Sequence, residues 1–202
     1  MEERRVVLLN GVALDFQTQG IRARWSDGRE VIFPYSRPGF FASLLVLAAR
    51  EEDTRRIAAT LDAYRQLQQI REQIVLAGPS LDPSPFRGES ALKWIVAKYP
   101  ADLLPTSLKD GLRALSNRSG LVILALANRA PLSAASLHSL LEAATHLPGR
   151  IAVPVSRGER THPLVFTRQV VPSLLHVRKE KGLLYFVKRL GVEVPLGDPQ
   201  SQ

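Results

Sequence analysis

The segment Gly120 to Ala127, GLVILALA, runs eight residues without a polar side chain and restricts the fold more than any other feature. It is far short of the roughly 20 apolar residues that a membrane span requires. A short apolar run closed by a polar turn, here Asn128-Arg129, suits a strand buried on both faces, as in a parallel sheet covered by helices. Neighbouring segments fit that frame. Ile74 to Ala77, Trp94 to Ala97, Ile151 to Val155 and Pro163 to Phe166 are further candidate strands. Between them, Thr106 to Asn117 carries Leu108, Leu112 and Leu115 at helical spacing. Ser133 caps a helix bearing Leu137, Leu140, Leu141 and Ala144. Helices over Arg168 to His176 and Gly182 to Leu190 close the pattern, and the residues from Gly197 onward are expected to fray.

Alternating strands and helices predict an α/β fold, a three-layer α/β/α sandwich with a mostly parallel central sheet, in one domain over residues 1–196. Nearer the N-terminus, Val6 to Leu9 is a candidate buried strand ending at Asn10-Gly11. Ile21 to Trp25 and Glu30 to Phe33 flank Asp27-Gly28, predicting a β-hairpin. Phe40 to Ala48 is expected to form a buried helix after Pro38. A longer helix is expected from Asp53 towards Gln73, with Ile57, Leu61 and Tyr64 on its apolar side.

Composition narrows the function. With 202 residues, 45% hydrophobic and 23% charged, the chain can bury a substantial core. It has no cysteine, which excludes disulfide frameworks, thiolate-bound metals and cysteine catalysis. No signal-peptide pattern opens it, and a cytoplasmic protein without a membrane partner is expected. The formal charge is +8, and 21 of the 27 basic residues are arginines, whose planar fork suits phosphate groups. The basic residues are spread along the chain, with pairs such as Arg4-Arg5, Arg55-Arg56 and Arg178-Lys179, so an anionic small ligand is favoured over a nucleic acid, whose binding would rest on charge alone. A protein partner or homodimer is a further expectation, from the Asp53 to Gln73 segment and Phe40-Phe41.

The common catalytic spellings are absent: no G-x-G-x-x-G, no Walker lysine, no G-x-S-x-G and no H-E-x-x-H. In open α/β sheets ligands gather at the carboxyl ends of the strands. That places Asn10-Gly11, Asn128-Arg129 and the Ser156 to Thr161 segment in view. Of the four histidines, His162 stands out in the loop Arg157-Gly158-Glu159-Arg160-Thr161-His162-Pro163, where backbone amides and guanidinium groups can hold an anion.

Three segments carry a family resemblance. Thr106-Ser107-Leu108-Lys109-Asp110-Gly111-Leu112-Arg113-Ala114-Leu115 resembles the S-S-L-x-x-G-L-x-A-L helix of the MobA-like nucleotidyltransferases, which attach guanylyl or cytidylyl groups to molybdopterin. The run GLVILALANRAPLSAASLHSLLEA is similar to that family's central strand and following helix. RIAVPVSRGERTHPLVFTRQVVPSLL resembles its strand, G-x-x-G-H-P loop and continuation. Together they span about Trp94 to Leu190. The resemblance implies a fold related to the nucleotide-diphospho-sugar transferases. It also implies attack of a molybdopterin phosphate on the α-phosphate of GTP or CTP, assisted by Mg²⁺.

The sequence departs from this pattern where the chemistry lies. The family's first strand leads into L-A-x-G-x-S-x-R-x-G-x-x-K; aligned at Leu8 to Gly20, only Gly11 remains, with Arg22 and Arg24 as replacement cations and Ser107 as a further phosphate-binding candidate. Asn128-Arg129 stands where relatives carry the aspartate of A-D-x-P. An amide is a poor magnesium ligand, and the adjacent guanidinium repels a cation. Glu180 is the one acid matching the family's later metal element. His162 and Pro163 persist, with Asn128, Arg129, Arg157 and His162 as the substrate-loop candidates. No catalytic residue is assigned. These departures favour a divergent member that binds a phosphorylated ligand, molybdopterin or a protein partner without efficient transfer. An active Mg²⁺-dependent transferase is the alternative, and a basic nucleic-acid-binding module the second.

Overall fold

The computed structural model describes residues 6–9, 12–17, 20–34, 41–48, 53–89, 92–97, 108–177 and 180–196. Contacts gather the chain into two compact units, Met1–Phe40 and Phe41–Gln202, where the sequence suggests one over 1–196.

The first unit is built from four short strands joined in sequence order. β1 (Val6–Leu9), β2 (Val12–Gln17), β3 (Gly20–Trp25) and β4 (Glu30–Pro34) form an antiparallel sheet in that order. The predicted hairpin joins β3 to β4, with Gly28 at φ +86° in the turn. Val6 to Leu9 pairs with β2 and takes no place in the α/β sheet, which corrects its reading as the first strand of that fold.

The second unit is built on β5 (Phe41–Ala48), β6 (Ile70–Ala77), β7 (Leu92–Val96), β8 (Ser119–Leu126), β9 (Ile151–Ser156), β10 (Glu159–Arg160), β11 (Leu164–Thr167) and β12 (Gly191–Pro195). They form one sheet in the order β10-β9-β11-β8-β5-β6-β7, with β12 added beside β9. β8, β5, β6 and β7 are mutually parallel; β11 runs antiparallel between β8 and β9, and β12 is parallel to β9. GLVILALA is the middle strand of the series, as its composition predicts.

β5 was expected to be a helix. Seven of its eight residues are buried, so neither strand nor helix periodicity survives in the sequence. Its alternate residues serve two cores. Leu44 and Val46 pack with Ile57, Leu61 and Tyr64 of α1 (Asp53–Arg65) and Leu137 and Leu140 of α3 (Ala134–Thr145). Leu45 and Leu47 pack with Leu108 and Leu112 of α2 (Leu108–Ala114) and Leu174 of α4 (Val171–Leu175). Phe186, Val187 and Leu190 of α5 (Glu180–Leu190) cover the same side. Helices on both faces make the three-layer α/β/α sandwich. α1 stops at Arg65, short of the expected Gln73, because the residues from Ile70 are drawn into β6 beside β5. No described helix is long and apolar enough to cross a membrane.

Candidate functional site

The carboxyl ends of β5, β6, β8 and β9 lie along one edge of the sheet. β11 runs the other way, so its beginning reaches that edge. It delivers His162, joined to Pro163 by a cis peptide bond.

Asn128 and Arg129 form an exposed turn directly after β8. The turn is fixed on both sides. The Ala127 amide donates to the Leu47 carbonyl at 2.9 Å, and the Arg129 amide to the Leu126 carbonyl at 3.1 Å. The Leu132 amide donates to the Tyr64 hydroxyl at 3.0 Å. Burial pushes the Tyr64 phenol above its ordinary pKa, with the Leu132 hydrogen bond opposing. Ser133 then caps α3, its hydroxyl accepting from the Ser136 amide at 3.1 Å. Sequence reasoning missed Tyr64 as an anchor, because at helical spacing it is indistinguishable from a core aromatic.

His162 is half-buried, and burial holds its pKa below the ordinary histidine value; the Leu124 backbone opposes this and the positive charge of Arg129 adds to it. The imidazole is therefore neutral at pH 7, and its Nδ1 is buried without a hydrogen bond. Arg157 occupies the tight turn between β9 and β10 at φ +53°, followed by Gly158 at φ +78°. The Thr161 amide returns to the Pro154 carbonyl at 2.8 Å and ties the loop to β9. Asn128, Arg129, Arg157 and His162 thus share the edge formed by the carboxyl ends of the parallel strands, with Arg129 acting electrostatically on His162.

The other candidates fall elsewhere. Arg22 and Arg24 belong to β3 of the first unit, and the exposed guanidinium of Arg24 is engaged by Glu30 at 3.1 Å. Glu180 is the first residue of α5, and its side chain lies outside the described ones. Gly11 and Ser107 lie outside the described residues. The alignment of the phosphate loop to Leu8 to Gly20 also needs correction, since the described residues of that stretch belong to β1, β2 and β3 of the antiparallel sheet. The strand that begins the α/β unit is β5, and only Ala49-Arg50-Glu51-Glu52 separates it from α1. No glycine occurs between Phe41 and Gly78.

The described residues do not fit a divalent cation held in the family's manner. An amide and a guanidinium follow β8, and among the described residues no three of histidine, aspartate and glutamate are placed to share an ion. What the edge does offer is the exposed Arg129 guanidinium, whose planar fork suits a phosphate oxygen.

Comparison with known proteins agrees with this architecture. The crystal structure of Rv0371c from Mycobacterium tuberculosis H37Rv superposes with a TM-score of 0.63 at 20% identity, covering 78% of this chain and 90% of that one. A manganese complex of Rv0371c gives 0.62 at 22% identity, covering 77% and 89%. A 4-diphosphocytidyl-2C-methyl-D-erythritol synthase from Anaerococcus prevotii gives 0.57 at 14% identity, covering 79% and 88%. No curated protein matches the sequence. The description of the MobA-like NTP transferase domain matches residues 35–194, a wider span than the Trp94 to Leu190 resemblance and one that takes in β5 and α1. The chain belongs to the family of MobA-like NTP transferase domains.

Proposed function

We propose that the strand-end edge of the second unit binds a phosphorylated small molecule, a nucleotide such as GTP or CTP or a pterin phosphate such as molybdopterin, without efficient nucleotidyl transfer. The observation that carries this reading is the Asn128-Arg129 turn fixed at the end of the central strand, where an acid would hold the metal. Arg129 supplies a cationic fork to the ligand phosphate. The neutral, half-buried His162 adds no positive charge of its own, and an anion settling on Arg129 would offset the repulsion that Arg129 exerts on a protonated ring. Arg157 and the turn amides around Gly158 close the same loop. The glycine-free link between β5 and α1 supports the same reading, because backbone amides close to a triphosphate need a chain free to take glycine conformations. A role in molybdenum cofactor metabolism or molybdoenzyme maturation is proposed from the sequence resemblance of the three segments over Trp94 to Leu190 alone.

A thermal-shift panel of CTP, GTP, ATP, UTP and pterin phosphates, with and without Mg²⁺, tests the ligand. At least one phosphorylated compound raises the midpoint, and omitting Mg²⁺ leaves that rise in place. Exchange of labelled pyrophosphate into each NTP tests transfer. Background exchange is expected; Mg²⁺-dependent exchange that disappears in Asn128→Ala or Glu180→Gln overturns the reading.

A further inference from the structure

The connection between two parallel strands usually carries a helix that covers the sheet. Between β6 and β7 it does not. Pro79, Pro83 and Pro85 interrupt this crossover, and its described residues, Gly78 to Glu89, hold only a three-residue 3₁₀ turn, Ser84–Phe86. Phe86 is the buried residue of that turn; it joins Ile57 and Leu61 of α1 in the core and stacks on Trp94 with ring centroids 5.3 Å apart. Space remains between α1 and the crossover. It forms a cavity of about 310 Å³, with Ala58 and Leu61 on one wall and Pro85 and Phe86 on the other.

Charge is distributed unevenly around this apolar lining. Arg55, Ala58, Asp62 and Arg65 follow one another at intervals of three and four, the spacing of one helix face. Glu89 comes from the crossover and lies 2.7 Å from the Arg65 guanidinium, which Asp62 approaches to 3.8 Å. Two carboxylates thus share one guanidinium, and that end of the cavity repels further negative charge. Arg55 lines the cavity about 10 Å along the helix from Asp62. It is exposed, and among the described residues no hydrogen bond or ion pair engages it.

We propose that this cavity binds a small organic monoanion, a carboxylate attached to a ring-sized apolar body. The guanidinium fork of Arg55 donates to both carboxylate oxygens, and the body lies against Ala58, Pro85 and Phe86. The volume stands at the lower end of the range of about 300–1,000 Å³ for small-molecule sites, and a cavity of about 150 Å³ already holds benzene. A second anionic group at the far end of the body would meet Asp62 and Glu89. None of Asn128, Arg129, Arg157 and His162 lines the cavity, so this site stands or falls independently of phosphate binding at the strand-end edge.

Amide shift mapping of the full chain by ¹H–¹⁵N correlation spectra tests the proposal with three probes: phenylacetate, neutral phenylacetamide and the dianion 1,4-phenylenediacetate. Phenylacetate is expected to give saturable shifts confined to Thr54 to Arg65 and Phe86 to Glu89, and to bind more tightly than either of the others. Arg55→Ala is expected to weaken phenylacetate about tenfold, the effect of losing one charge-assisted hydrogen bond, and to leave phenylacetamide unchanged. Ala58→Leu fills the cavity without altering a charge, and is expected to weaken both compounds with unchanged far-UV circular dichroism. Phenylacetate that gives no saturable shifts at these residues overturns the proposal. Binding that is indifferent to Arg55→Ala, or that is matched by phenylacetamide or the dianion, overturns it as well.

Discussion

Lys93 Nζ lies 2.7 Å from Glu72 Oε1, joining the amino-terminal ends of β7 and β6 at the edge of the sheet remote from the Asn128-Arg129 turn. Glu72 is buried and also accepts from Ser43 Oγ at 2.5 Å and from the Ser116 amide at 3.1 Å. Lys93 donates in addition to the Ala114 carbonyl at 2.8 Å. Together these bonds hold the end of α2 and the approach to β8 against β5 and β6. Burial pushes the Glu72 carboxyl upward, but the Lys93, Ser43 and Ser116 hydrogen bonds outweigh it and hold the group below its ordinary value of 4.5. In that range the unfolded chain binds more protons than the folded one, so the stabilisation is complete above 4.5 and fades as the pH falls through the folded-state value. Glu72→Gln is expected to cost about 2 kcal/mol at pH 7 and to flatten the acid limb of the stability profile. Urea titrations between neutral and acid pH measure both effects.

Gly111 lies in the part of the family-like helix motif that falls within α2, where a Cβ would come within 2.7 Å of Leu76 Cδ1 and 2.9 Å of Leu45 Cδ1. Its role is to let α2 approach the sheet. Gly111→Ala is therefore expected to destabilise by about 1–2 kcal/mol despite alanine's better helix propensity, since two buried leucines must repack. A lowered denaturation midpoint with an unchanged denaturant slope is the expected signature.

A Cβ on Gly191 would collide with the Val187 carbonyl of the backbone, which cannot move aside as a side-chain tip can. Gly191→Ala is expected to loosen the passage from α5 into β12 and to cost about 3 kcal/mol or more. Hydrogen exchange should rise first along β12, at the amides paired to β9.

If the proposed ligand binds at Arg129, the depressed pKa of His162 gives that binding a pH dependence. An anion neutralising Arg129 removes one of the causes that depress the His162 pKa, so binding is expected to take up a proton and to strengthen as the pH falls towards the free-state value. Calorimetric titration in two buffers of different ionisation enthalpy reads that uptake directly. His162→Gln is expected to abolish it, and Arg129→Ala to weaken binding about tenfold, the effect of losing one charge-assisted hydrogen bond.

Much of the second unit is legible in the sequence because its signals are local. GLVILALA reads as an interior strand and Ser133 as the cap that accepts from a helix amide, and in the first unit Asp27-Gly28 supplies the turn with positive φ in the same local way. β5 is illegible for the opposite reason: two cores claim its alternate residues and erase the period. β12 escapes notice because five residues with half-buried sides carry little pattern until β9 pairs with them. The candidate site divides in the same way. Asn128, Arg129 and His162 adjoin strands that the sequence identifies, and they share one edge. Arg22 and Arg24 were drawn towards the site by treating Val6–Leu9 as the opening strand of the α/β fold, and they belong to a different sheet.

The brevity of the passage from Ala48 to Asp53 has an evolutionary corollary. A single-base change can place an acid at position 128, but it cannot lengthen a tether. If the proposed function holds, a transferase built on this scaffold would need inserted codons as well as exchanged ones, a change that point substitution alone does not supply.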